Sequence, residues 1–163
     1  PVVAYNAGAK NYRRLKGIMY ETTKFAFITS LIIWALMMVF APQLIGIFVT
    51  DSLIIAEAVV AFRIMIAVFP VISIYYVSIT YFQALGKAKT SILISISRQL
   101  IIMIPVSIIM VKVFNLGALG VWISYPISDV LASMGSFIMI RNEGIELNIA
   151  LEKQIEREKL RIS

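Results

Sequence analysis

Asp129 stands out among the residues that could do chemistry, because it is a carboxylate in the middle of a long apolar segment. A charge at the centre of a membrane-spanning helix costs roughly 2.5–3.5 kcal/mol on insertion scales, so such residues often have a function. At 100° per residue, four polar or aromatic side chains share its helix face: Trp122, Tyr125, Ser133 and Ser136. Asp129 can therefore be a proton or cation site beside a polar cavity, or a structural carboxylate that fixes helix packing.

A second set of polar side chains follows one face of an earlier apolar segment. Its members lie within about 80° of arc on a helical wheel: Ser73, Tyr76, Thr80 and Gln83. Pro70 lies one turn before this set and should kink the helix or free a carbonyl. The set can line a substrate cavity, together with Tyr125, or it can form interhelical hydrogen bonds worth about 1 kcal/mol each. The sequence leaves both interpretations open.

Long apolar helices must position these residues. The chain of 163 residues is 60% apolar and 15% charged, whereas a soluble domain is typically about 45–50% apolar and about 25% charged. Four segments approach the length of about 20 apolar residues that a membrane span needs: 25–41, 63–85, 92–113 and 119–140. The segments lack the strict alternation of barrel strands. The sequence therefore predicts an all-α, polytopic membrane helix bundle with four transmembrane helices and a C-terminal cytoplasmic helix.

Basic residues are distributed unevenly between the two ends of these spans. Five precede the first span, three lie around the turn between the second and third, and five follow the fourth. Only Arg63 and Lys112 lie at the other end. By the positive-inside rule the basic end is cytoplasmic. Both ends of the chain are then predicted to be cytoplasmic, and an even number of spans agrees with this. The net charge of +6 is explained by basic residues in the loops and ends, so it does not predict a nucleic-acid partner.

Depth within the bilayer points to a partner for Asp129. It lies about 16 Å from the basic end of its span at 1.5 Å per residue, and Arg98 lies about 9 Å from the same end of the third span. An arginine side chain can bridge that difference. Arg63 is too distant and can reach the outer interface by snorkelling. We therefore predict an ion pair between Asp129 and Arg98, whether their role is ion coupling or structure.

Enzymatic chemistry has little support in this sequence. There is no Cys and no His, which removes the usual nucleophiles and zinc or haem ligands. No phosphate-binding loop or nucleophile elbow occurs, and no two carboxylates share a span. We expect no catalytic residue, no metal and no cofactor. The tail, residues 142–163, alternates Ile and Leu with charged residues and predicts a helix, either solvated or lying on the membrane surface.

Several short motifs resemble those of the MATE (multidrug and toxic compound extrusion) family, in the family's order. They correspond to the loop before its ninth helix, the end of its tenth, its eleventh and its twelfth. The matching segments are YNAGAK (5–10) with Arg13, YFQALGK (81–87), SRQ (97–99) with Pro105, and GALGVW (117–122) with PISD (126–129). The resemblance covers about residues 1–142 and assigns residues 1–141 to part of a C-terminal transmembrane lobe.

The resemblance implies part of a transporter with two six-helix lobes, of which this chain would be the last four helices. Such a protein exports small organic cations or amphiphiles by alternating access, in exchange for H⁺ or Na⁺, across a bacterial-type inner membrane. The N-terminal lobe would be its partner within the same protein. One branch of the family carries a cation-site carboxylate in its tenth helix. Residues 63–86 contain no Asp or Glu, so that site does not carry over.

Two alternatives compete with a drug exporter. A lipid-linked oligosaccharide flippase of the same superfamily should line its cavity with several cations to meet a pyrophosphate. Only Arg63, Arg98 and Lys112 are candidates here. A non-transporting membrane subunit is the other alternative, and it predicts no polar faces on the second and fourth spans, where the sequence has both.

Overall fold

The computed structural model describes residues 1–162, apart from the side chains of residues 158, 161 and 162. Every secondary-structure element in that range is helical, as the sequence predicts. The α-helices are α1 (Val2–Gly8), α2 (Tyr12–Val39), α3 (Ala41–Gly46), α4 (Ser52–Met65), α5 (Phe69–Ala84), α6 (Ala88–Ile96), α7 (Ile104–Ile108) and α8 (Gly117–Ile162). Two π-helical segments flank α7, namely π1 (Ser97–Met103) and π2 (Ile109–Val113).

Three continuous helices are long and apolar enough to cross a membrane. They cover Tyr12–Val39, Ala88–Val113 and Gly117–Arg157. The pair α4 and α5 passes the same test together but is bent by 52°. The described chain therefore has three candidate spans, or four if the bent pair crosses as one, which is the number that the sequence predicts.

The bend between α4 and α5 occurs where Pro70 was predicted to disturb the second span. Pro70 is the second residue of α5 and has no N–H to donate to the carbonyl of Ile66 four residues earlier. That carbonyl instead accepts a hydrogen bond of 3.0 Å from the backbone N–H of Phe69. The tighter turn changes the direction of the chain, so the predicted kink is confirmed.

The third span contains two π-helical segments, so the chain changes between α and π geometry three times. Pro105 is the second residue of α7, two positions after the end of π1. A proline ring clashes with the carbonyl four residues before it in an α-helix, and the wider π turn accommodates the ring. The segment stays helical through Pro105, but Arg98, near the start of π1, extends from a widened turn that the sequence did not indicate.

The tail is helical over residues 142–162, as the sequence predicts, but it continues the helix of the fourth span. Instead of a separate helix over 142–163, α8 runs without a break from Gly117 to Ile162. Gly144 is the strongest helix-weakening residue near the predicted boundary, and one glycine costs only about 1 kcal/mol. A Cβ at this position would lie 3.6 Å from Cε of Met19, an ordinary van der Waals distance, so packing against α2 does not require the glycine. The boundary at 141 marks a change in composition but none in the backbone.

The core of the bundle lies where α5 packs between α2, α6 and α8. Its buried members are Ile72, Tyr75, Phe82, Ile94, Ala132 and Ile140. At the far end of the bundle α8 meets π2 at close range, because a Cβ on Gly120 would lie 3.0 Å from the carbonyl carbon and oxygen of Met110. Outward faces of α2 and of the third span stay apolar and exposed, as at Ile32 and Ile101, which suits contact with lipid or with further helices.

Candidate functional site

An ion pair joins π1 to the part of α8 that corresponds to the middle of the predicted fourth span. The guanidinium of Arg98 donates two hydrogen bonds to Oδ1 of Asp129, from Nε at 2.9 Å and from Nη2 at 2.6 Å. The side chains of Arg98 and Asp129 are 18% and 8% exposed. The contact that depth arithmetic predicted is therefore present, and it neutralises two charges that would be costly alone inside a membrane.

Tyr75 of α5 supports this pair from a third helix. Its ring centre lies 5.7 Å from Cζ of Arg98, within the range of a cation–π contact. Its hydroxyl donates a hydrogen bond of 3.2 Å to the carbonyl oxygen of Ser95 at the end of α6. Tyr75 itself is 4% exposed. The guanidinium is thus fixed on one side by a carboxylate and on another by an aromatic ring, which leaves it little freedom.

Serines form a second polar contact along α8, on a different face of the helix from Asp129. The hydroxyls of Ser107 and Ser124 lie 2.7 Å apart and join α7 to α8. Ser128 donates a hydrogen bond of 2.6 Å to the carbonyl oxygen of Ser124. Small residues and hydroxyl contacts of this kind allow membrane helices to approach closely. The helical wheel places Ser133 and Ser136 on the face of Asp129 and gives no sign of the contact between Ser107 and Ser124.

The predicted polar face of α5 divides in two. Ser73 is buried and donates a hydrogen bond of 2.7 Å to the carbonyl oxygen of Pro70, so its hydroxyl is satisfied within its own helix. Tyr76, by contrast, is 55% exposed. Thr80 and Gln83 are exposed as well. The helical wheel groups these four residues on one polar face, but in the structure Ser73 faces the packed side while the other three are exposed.

Tyr76 and Thr80 line a cleft of about 510 Å³ between α1, α2 and α5. Its walls are mostly apolar and include Val2, Ile18 and Met19. Gln83 and Tyr125 are not among its lining residues. Tyr125 lies on α8, one turn before Asp129, and is half-buried. The structure thus brings two of the five cavity candidates together in one cleft.

Arg63 has a role that sequence reasoning did not predict. Its guanidinium donates two hydrogen bonds, of 3.2 Å from Nε and 3.0 Å from Nη2, to the carbonyl oxygen of Met38 near the end of α2. The residue four positions after Met38 is Pro42, which has no N–H to offer that carbonyl. Arg63 is therefore a cap on the end of α2 and not a free, snorkelling cation. The proline was the signal that could have indicated it.

The basic end of the bundle holds a second ion pair. Lys87, in the turn between α5 and α6, lies 2.5 Å from Oε2 of Glu143 on α8. Glu146 lies 3.9 Å from the same ammonium group. Gly86 adopts φ +74°, a conformation that glycine reaches without strain, and so positions Lys87 beyond the end of α5. The continuous α8 is thus fixed to the α5–α6 turn.

The fold and its paired intramembrane charges define part of a polytopic α-helical membrane protein. The chain belongs to the MATE family, since the family model MatE matches residues 1–109. No curated protein sequence matches the chain.

Solved structures agree with this assignment. The MATE multidrug transporter DinF-BH, solved in complex with a ligand, is 37% identical with a TM-score of 0.79, over 87% of this chain and 31% of that one. The MATE transporter ClbM, in complex with Rb⁺, is 25% identical with a TM-score of 0.81, over 93% and 35%. An inward-facing MATE multidrug transporter of the MOP superfamily is 25% identical with a TM-score of 0.84, over 90% and 34%. The chain spans about a third of their length.

Proposed function

We propose that this chain supplies the last four helices of the C-terminal lobe of an ion-coupled antiporter that exports cationic or amphiphilic drugs. The exposed polar face of α5 carries the proposal. Tyr76, Thr80 and Gln83 are presented by an apolar helix to space that the described part of this chain does not fill. Polar groups facing lipid are costly, so this face suits a polar cavity shared with the N-terminal lobe.

The chemistry of the α5 face fits an organic cation. Tyr76 offers an aromatic ring, which attracts a cation held against its face. Thr80 donates its hydroxyl hydrogen to the carbonyl oxygen of Tyr76 at 3.0 Å, so its oxygen keeps acceptor capacity. The apolar walls of the adjoining cleft suit the hydrophobic part of an amphiphile. One similar structure is that of a multidrug transporter in complex with a ligand, and we extend drug binding to this chain on these grounds.

We propose that Asp129 is structural and that the coupling carboxylate lies elsewhere in the protein. Both donors of Arg98 converge on Oδ1 of Asp129, which favours a permanently paired carboxylate. No Asp or Glu occurs between residues 63 and 86. Exchange for H⁺ or Na⁺ then depends on an acidic residue in a part of the protein outside residues 1–163. In that account Arg98 and Asp129 keep α8 and π1 aligned while the lobes move.

Alternating access needs helices that can change direction. The bend of 52° between α4 and α5 and the two π-helical segments are the points where the described spans depart from a regular α-helix. Such points often allow motion in membrane proteins. We place the basic end, with both chain ends, in the cytoplasm of a bacterial-type inner membrane, in line with the positive-inside rule.

The flippase alternative is weakened by the contacts of its candidate cations. Arg98 is paired with Asp129, and Arg63 binds the carbonyl oxygen of Met38. A pyrophosphate would have to compete with both contacts. Of the three candidates only Lys112 remains, and it is exposed at the end of π2.

Cellular drug accumulation tests the proposal. Full-length protein that carries both Tyr76→Ala and Gln83→Leu is compared with Ile101→Ala, an exposed apolar control on the third span. We expect the double variant to export a fluorescent organic cation several-fold more slowly than wild type. The control should match wild type at equal protein level. Export unchanged by the α5 substitutions would overturn the assignment of this face.

A further inference from the structure

A groove of about 270 Å³ lies between α2, α5 and α8 at the basic end of the bundle. Its floor is apolar and is formed by Met19, Ile74, Phe137 and Ile140. Two cations, Lys16 and Arg141, stand at its edge together with the aromatic ring of Tyr20. The groove is therefore amphipathic, with an apolar floor and a positively charged edge.

The two cations at this groove have no carboxylate to neutralise them. Lys16 donates a hydrogen bond of 3.1 Å to Oδ1 of Asn148, a neutral amide. Among the described side chains, no Asp or Glu lies within 4.0 Å of Lys16 or Arg141. Lys87, a short distance away, is by contrast paired with Glu143. The groove thus presents unpaired positive charge that a bound anion can complement.

The position of the groove matches the membrane–water boundary. Arg141 directly follows Ile140, the last residue of the predicted fourth span. Tyr20, 66% exposed, has the amphipathic ring that is enriched at this boundary. Basic pockets between transmembrane helices at this level bind anionic lipid headgroups. Lys16 and Arg141 can then reach a phosphate while the floor stays among acyl chains.

We propose that this groove binds an anionic glycerophospholipid. Its phosphate lies between Lys16 and Arg141, and one acyl chain covers the floor along Phe137 and Ile140. A free phosphate would leave the apolar floor without a partner. A zwitterionic lipid would bring its own cation toward the two at the edge. The bound lipid bridges α2 and α8, so it stabilises the bundle whether or not the protein transports drugs.

Native mass spectrometry of the delipidated full-length protein tests this binding. Phosphatidylglycerol, phosphatidylcholine and inorganic phosphate are titrated separately. The variant Lys16→Gln/Arg141→Gln removes both charges. The matched control Lys89→Gln/Lys153→Gln removes two charges at the same end but outside the groove. The variant Lys16→Arg/Arg141→Lys exchanges the cations and keeps the charge.

Wild-type protein should bind phosphatidylglycerol at least tenfold more tightly than phosphatidylcholine. At about 1 kcal/mol per basic residue, the double Gln variant should lose about 30-fold at the tightest site. The control and the charge-exchange variant should stay within about threefold of wild type. Equal binding of the two lipids by wild type would overturn the proposal even if a variant fails to fold. So would full occupancy of the site by inorganic phosphate alone, or equal loss in the control.

Discussion

Arg98 directs two donors, Nε at 2.9 Å and Nη2 at 2.6 Å, to the same oxygen of Asp129, 31 positions along the chain. The pair joins π1 to the N-terminal third of α8, and the ring of Tyr75 lies beneath the guanidinium. Each charge is thus compensated inside the bundle. Either charge alone would be exposed to the full cost of burial.

Removing one member of this pair should harm the protein more than removing both charges. Loss of one partner of a buried pair typically costs about 3–5 kcal/mol, because the other charge is left uncompensated. We expect Arg98→Ala to lower thermal stability in detergent strongly, and Arg98→Ala with Asp129→Asn to be milder. A thermal unfolding series of the full-length protein measures the cycle. Strictly additive losses would show that the two residues are not coupled.

Gly120 should tolerate no side chain. A Cβ there would lie 3.0 Å from the backbone carbonyl of Met110, so π2 would have to move away from α8. We expect Gly120→Ala to destabilise the protein by about 1–3 kcal/mol through overpacking. Gly135→Ala is the matched control on the same helix, since nothing lies within 4 Å of the added Cβ. Comparable melting temperatures for the two variants would contradict the close approach.

These features differ in how far the sequence could predict them. The Arg98–Asp129 pair followed from depth, because two helices that start from the same membrane surface bring residues of similar depth together. The kink at Pro70 followed from its missing N–H. The kink depends only on its own helix, whereas the pair needs one further condition, that the two consecutive spans pack side by side.

Features that depend on which helices are neighbours escaped the sequence. The cap that Arg63 places on Met38 requires the ends of α2 and α4 to meet. Ser73 shares a predicted polar face with Tyr76, but a helical wheel gives angles and does not show which angle faces a neighbouring helix. The continuity of α8 was missed because the change from apolar to charged residues near 141 resembled a boundary, although no strong helix breaker lies there.

Loss of the Arg63 cap should loosen the end of α2. Pro42 has no N–H to donate to the carbonyl oxygen of Met38. That oxygen instead accepts two hydrogen bonds from the guanidinium of Arg63. We expect Arg63→Met to cost about 1 kcal/mol and to speed hydrogen exchange locally in α3. Arg63→Lys, which keeps a donor, should show an intermediate effect. Hydrogen-exchange mass spectrometry measures both, and unchanged exchange in Arg63→Met would refute the role.

The contact between Lys87 and Glu143 should hold α8 to the α5–α6 turn. The side chain of Lys87 is 42% exposed, so the pair contributes about 0–1 kcal/mol to stability and acts mainly on geometry. We expect Lys87→Glu to broaden the distance distribution between spin labels on α8 and on the α5–α6 turn. The exchanged pair Lys87→Glu/Glu143→Lys should narrow it again. A distribution that stays narrow in Lys87→Glu would argue against this contact.

Gradient-driven transport by the full-length protein in liposomes tests the central claim most directly. Movement of a fluorescent organic cation is measured under an imposed H⁺ gradient, an imposed Na⁺ gradient and neither. Our account predicts transport with at least one gradient, lost in Tyr76→Ala/Thr80→Val/Gln83→Leu and retained in Ile101→Ala. Transport with neither gradient, or equal transport by the triple variant, would contradict the assignment of α5 to the substrate path of an ion-coupled exporter.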